Sequence, residues 1–103
     1  MDATDDRREI RFWRPDSPSV TGMIRVERED RLKTTYSEQL VVLVIYEGAF
    51  DGWVRGRVRT HVAGAIKLKQ PGEVHRGVRI HAPYTIQGAG FSAEAIDRAL
   101  AGS

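Results

Sequence analysis

The chain predicts an all-β fold: a small antiparallel barrel or sandwich of about eight or nine short strands with one C-terminal helix. Three observations carry this reading. Apolar residues recur with a period of about two rather than about 3.6 along most of the sequence. Turn signals return every ~8–12 residues, which is the spacing of a sandwich or barrel. Only the stretch after Ser92 carries helix signals.

The elements follow in order. Residues 20–29 alternate, with Ile24 and Val26 on one face and Arg25 and Glu27 on the other. Residues 40–46 are a continuous apolar run rich in β-branched side chains. It is too short for a typical helix and too apolar for a surface strand, so it reads as a strand buried on both faces. Glu47-Gly48 and Asp51-Gly52 read as turns, because glycine accepts the positive φ that tight turns require. Trp53-Val54-Arg55 and residues 58–62 flank Gly56, which predicts a hairpin. In residues 65–69 Ile66 and Leu68 are expected to point inward, Lys67 and Lys69 outward. Pro71-Gly72 is a further turn. Residues 74–81 and 84–87 complete the strands, and Ser92 caps a helix over residues 93–100 that Gly102 stops. Ala95, Ile96, Ala99 and Leu100 form an apolar stripe on that helix.

At 103 residues the chain fits a single domain, read as an N-terminal arm (1–11), a barrel (12–91) and a short helix (92–103). The absence of cysteine excludes disulfides, thiol catalysis and thiolate-bound zinc. The net charge is +2, so no strong bias toward a polyanionic partner follows. No run approaches the ~20 apolar residues of a spanning helix. The acidic N-terminus lacks the pattern of a signal peptide, so a cytoplasmic location is the default expectation.

Few residues point to chemistry. His75 lies beside Glu73 near the start of a strand, which suits either a metal ligand or a polar histidine at a barrel mouth. A metal site needs several converging ligands, and His61 and His81 are isolated. Residues 55–81 are locally basic, with seven Lys and Arg, all three histidines and one acid, Glu73. This fits a solvated face, attraction of an anionic small ligand or a nucleic-acid patch. No helix carries these charges, and the interleaved aromatics of a single-strand platform are missing, so direct nucleic-acid binding is not expected. No GxSxG, GxxxxGK[ST] or GxGxxG motif occurs.

The run 31–42, Tyr46-Glu47-Gly48, Gly56-Arg57, Val62-Ala63-Gly64 and the stretch Pro71-Gly72-Glu73-Val74-His75-Arg76-Gly77 together resemble the N-terminal effector-binding domain of AraC-type transcription regulators. The resemblance spans roughly residues 12–100 and implies a small cupin-like barrel. It implies that an effector binds inside the barrel, with Tyr36, Glu38, Tyr46, Trp53 and His75 facing the pocket. Glu38 and His75 would fix polar groups of the ligand, and Tyr36 and Trp53 would stack on it. Two departures stand out. The His-x-His pair common in such domains is replaced by Thr35 and Ser37, which leaves Glu38 and His75 of the metal set. The helix-turn-helix half that reads DNA is not in this sequence.

The resulting expectation is a non-enzymatic sensing domain without cofactor or metal. It would bind a small-molecule effector and signal through two arrangements of arm and barrel. If it self-associates, the C-terminal helix is the expected contact; no membrane partner is expected. Two alternatives belong to other classes. One is a ligand-free interaction or dimerisation module using the basic strand or the helix. The other is a metal-dependent cupin enzyme.

Overall fold

A computed structural model describes residues 10–102. The segment 1–9, most of the expected arm, lies outside the described residues. The described chain forms seven strands and one helix: β1 (Ile10–Trp13), β2 (Gly22–Glu29), β3 (Thr34–Tyr36), β4 (Leu40–Val54), β5 (Arg57–Val62), β6 (Ile66–Lys69), β7 (Val74–Phe91) and α1 (Ala93–Ala101). All strand pairs are antiparallel, in the order β1-β2-β7-β4-β5, with β3 also on β7 and β6 also on β4. Side chains from β1, β2, β3, β4, β6 and β7 line one common cavity, so the sheet curls round on itself.

The strand count falls below the expected eight or nine because two pairs of predicted strands are continuous. β4 runs straight through Glu47-Gly48 and Asp51-Gly52, which are not turns. The register between β4 and β7 slips at Ile45/Glu47, Glu47/Ala49, Ala49/Phe50 and Asp51/Gly52. Both glycines therefore lie at register slips that bend a long strand, and Gly48 takes up the positive φ expected of a turn. Gly48 has φ 84°, and a Cβ there would collide with the carbonyl of Pro83. Likewise β7 absorbs Pro83 inside its 18 residues instead of breaking there. The register also slips in this region, which is where a strand tolerates proline.

The hairpin at Arg55-Gly56 forms as expected. Both residues have positive φ (51° and 78°) and Val54 pairs with Arg57, the geometry of a type I′ two-residue loop. β1 and β3 were not anticipated. β1 begins at Ile10, inside the segment read as an arm, and pairs Ile10 with Val26.

The small core holds Val26, Leu43, Ile45, Phe50 and Ala95. A bulge in β2 between Val26 and Glu29, with Arg28 at φ 51°, turns Glu29 to the same inward side as Val26. Its carboxylate is fully buried and sits 3.1 Å from Arg31 Nε and 2.5 Å from Lys33 Nζ. Burial raises the carboxyl pKa, but hydrogen bonds from Lys33 and Arg31 outweigh it and hold the group below its usual range. On α1, the Ser92 hydroxyl accepts the Ala95 N–H at 3.1 Å, Glu94 lies in the first turn and Gly102 is the C-cap. Of the predicted stripe, Ala95 is buried and Ile96 half-buried. No helix among the described residues is long and apolar enough to cross a membrane.

Candidate functional site

The barrel encloses a cavity of about 510 Å³. That lies within the range of small-molecule sites, ~300–1,000 Å³. Most of its wall is apolar: Ile10 and Phe12 from β1, Met23, Ile24 and Val26 from β2, Val41, Leu43 and Phe50 from β4, Ile80 and Ile86 from β7. Phe12 and Tyr36 line it while standing largely open to solvent, which marks the mouth.

One side of this wall is basic. Lys67 and Lys69 on β6 both project into the cavity. This reverses the predicted phase: Ile66 and Leu68 point outward and are 67% and 59% exposed. The pairing decides it, because Lys67 lies opposite Leu43 and Lys69 opposite Val41, both inward residues of β4. Lys69 Nζ donates to Thr35 Oγ1 at 2.8 Å. Lys67 Nζ sits 5.4 Å from the centroid of the Phe50 ring, which also packs on His61 and Tyr84. Burial lowers the pKa of Lys67, and burial together with the Lys67 charge brings Lys69 down to about 8.

His75 joins them from β7, opposite Thr35 in register. It is 4% exposed, and neither ring nitrogen has a hydrogen-bond partner. Its Nε2 lies 3.4 Å from Glu73 Oε1, outside hydrogen-bonding geometry. Burial and the two lysine charges lower its pKa, against an opposing pull from Glu73, so the ring is neutral at pH 7. His61 is near the same pole and is pushed down to about 4, first by burial and then by Lys67. Glu73, also in the wall, is bound by Arg55 Nε at 2.5 Å and accepts the Gln70 N–H. That backbone hydrogen bond, with the Arg55 charge, holds its carboxyl low.

Of the five residues expected in the pocket, the cavity brings together Tyr36 and His75. The other three lie elsewhere. Glu38 is exposed on the loop after β3, where it accepts a hydrogen bond from the Tyr36 hydroxyl. Tyr46 has the outward parity of Val42 and Val44 and sits on the outer surface under Arg25, whose guanidinium carbon is 5.3 Å from the ring centroid. Trp53 would share the inward parity of Val41 and Leu43 in a regular strand. The bulge after Ile45 shifts the phase, so Phe50 and Gly52 line the cavity and Trp53 does not. Arg76 covers the Trp53 ring at 4.8 Å. His81 lies outside the cavity wall, with its Nε2 3.0 Å from Asp51 Oδ2.

The cavity residues do not suit a metal ion. Among the described residues no three His, Asp or Glu side chains converge. The ammonium of Lys69 rests on Thr35, one of the positions that replaces the His-x-His pair, and a second ammonium stands beside His75. Cations there oppose another cation.

Solved structures place this architecture. A Photorhabdus luminescens protein, plu4264, superposes with a TM-score of 0.66 at 10% identity, over 89% of this chain and 81% of that one. A cupin 2 conserved barrel domain protein from Salinispora arenicola gives 0.59 at 14% identity, over 91% and 85%. An RmlC-like cupin from Shewanella frigidimarina gives 0.57 at 14%, over 85% and 81%.

The fold is a cupin barrel.

No protein-family model and no curated protein matches the sequence. The likeness is therefore one of fold, and the site in this barrel must be read from its own residues. Sequence reasoning passed over Lys67, Lys69 and His61 as site residues. Alternation separates two faces of a strand but does not say which face is inside. The one usable signal was the basic surplus of residues 55–81, which already allowed an anionic small ligand.

Proposed function

We propose that this cupin is a non-enzymatic small-molecule-binding domain whose ligand occupies the barrel. One observation carries the reading: the interior is not filled by its own side chains, and His75 in its wall keeps two buried ring nitrogens without a hydrogen-bond partner. A buried polar group without a partner is costly, and a bound ligand is one way to satisfy it. The resemblance to AraC-type regulators gives that ligand the role of an effector. Occupancy would then reach a DNA-binding half or partner through the ligand's unequal affinity for two barrel states.

Thermal-shift measurements with a panel of sugars, aromatic acids and acyl compounds test this. A ligand present at about 100 times its Kd stabilises the folded chain by ~2.7 kcal/mol. Unchanged melting across the panel would remove the reading.

A second reading rests on the outer surface. Val58, Val62, Ile66 and Leu68 are large apolar side chains left exposed on β5 and β6. Ile66 pairs with Val44 and Leu68 with Val42, so the patch continues onto β4. An apolar face with few charges is self-complementary and suits a second copy of the chain. This moves the expected contact from the C-terminal helix to the sheet.

A further inference from the structure

We infer that the ligand of this barrel is an amphipathic organic carboxylate, its head group held between Lys67 and Lys69 and its apolar body lying along the walls of β2, β4 and β7. The inference rests on the reading of the cavity as a ligand site and specifies its chemistry.

Lys67 and Lys69 are two residues apart on one strand, so their side chains leave the same face with Cα atoms roughly 7 Å apart. Two flexible lysine side chains leaving one face of a strand can each bring a donor to one carboxylate. Among the described residues no carboxylate pairs with either lysine. The nearby acids are already engaged: Glu73 by Arg55, and Glu29 by Arg31 and Lys33. Half-buried cations without a counter-ion are costly to hold in a largely apolar wall. An incoming anion supplies the missing charge. His75, with both ring nitrogens unpartnered, lies in the same stretch of wall.

The remaining wall decides the rest of the ligand. Met23, Ile24, Leu43, Ile80 and Ile86 offer no hydrogen-bonding side chains. Although the lining also holds Tyr36, Ser37, Gln39 and Arg76, a wholly polar ligand would lose its hydration against these apolar residues without compensation there. Inorganic phosphate would leave them uncovered. An acyl or aryl carboxylate satisfies both ends.

Isothermal titration of the full chain near pH 7 tests this with matched probes: octanoate, 1-octanol and octylamine, then 3-phenylpropionate and 3-phenylpropanol. Each carboxylate is expected to bind about tenfold or more tightly than its alcohol, from charge-assisted hydrogen bonds. Octylamine is expected not to bind. Lys67→Met and Lys69→Met should each narrow the gap, and the double variant should bring acid and alcohol to parity while still binding the alcohol. Lys67→Gln/Lys69→Gln repeats the test with polar neutral side chains, should the methionine pair perturb the fold. Equal binding of acid and alcohol by the natural chain overturns the anion assignment but leaves the cavity a ligand site. An acid preference that survives both double variants overturns the lysine assignment. Failure of every probe to bind overturns the inference and the ligand-site reading together.

Discussion

At the residue scale, Lys69 is the most informative group. Its folded pKa of about 8 lies below the ordinary 10.5 because burial, and then Lys67, disfavour the charged form. Folded and unfolded chains are both protonated below pH 8, so the cost of burying the charge is then fully present. Above pH 8 the folded chain loses the proton first, and stability rises with pH. Lys67, lowered by burial, acts in the same direction. Tyr84 works against them at the top of the range. Burial and Glu29 push its hydroxyl up to about 12, so unfolded tyrosine ionises first once the pH passes about 10. The melting temperature should therefore rise between pH 8 and 10, followed by circular dichroism. Lys69→Met should be more stable than the natural chain at pH 7 and should lose most of that rise. A variant whose profile runs parallel to the natural one would place the pH dependence elsewhere.

At the element scale, two long bent strands make the barrel, and their bulges set which residues face inward. Gly48 is where this is most exposed to test. Its φ of 84° suits glycine, and a Cβ would meet the backbone of Pro83 and Tyr84 across the β4–β7 pairing. Gly48→Ala should destabilise the fold by roughly 2–4 kcal/mol in chemical denaturation. Gly56→Ala is the control, because its φ is also positive (78°) but nothing lies within 4 Å of a Cβ there. A Gly48→Ala cost no larger than that of Gly56→Ala would mean that the β4–β7 contact yields to the side chain. The irregular stretch of β4 also explains why Trp53 does not line the cavity. The resemblance puts Trp53 in the pocket, and the extra β4 residue after Ile45 turns it out.

At the scale of the whole molecule, charge and apolar surface are inverted on β6 relative to a simple surface strand. The lysines face the cavity and the aliphatic residues face outward. If the outer face joins two copies, sedimentation velocity at micromolar concentration should show a dimer, and Ile66→Glu with Leu68→Glu should return it to a monomer. Octanoate binding should survive that change, because both side chains point away from the cavity. A natural chain that is monomeric over the same range would remove the second reading.

Local order was legible in the sequence, and closure was not. The alternation of residues 20–29, the strand at residues 40–46, the Arg55-Gly56 hairpin and the Ser92 cap could be read directly; burial of residues 40–46 on both faces does not hold, because Val42 and Val44 face outward and Tyr46 is exposed. Each depends on interactions between near neighbours or on one residue's φ preference. The all-β architecture with one closing helix followed from them. Only the tertiary structure decided that Gly48 and Gly52 bend a strand instead of ending it, that Glu29 is buried, and that Lys67 and Lys69 point inward. Those outcomes depend on register between strands far apart in sequence, and a shift of one residue exchanges the two faces of a strand. The sequence thus determined the barrel's parts and a basic surplus, while long-range pairing put that surplus on the inside, where it forms the candidate site.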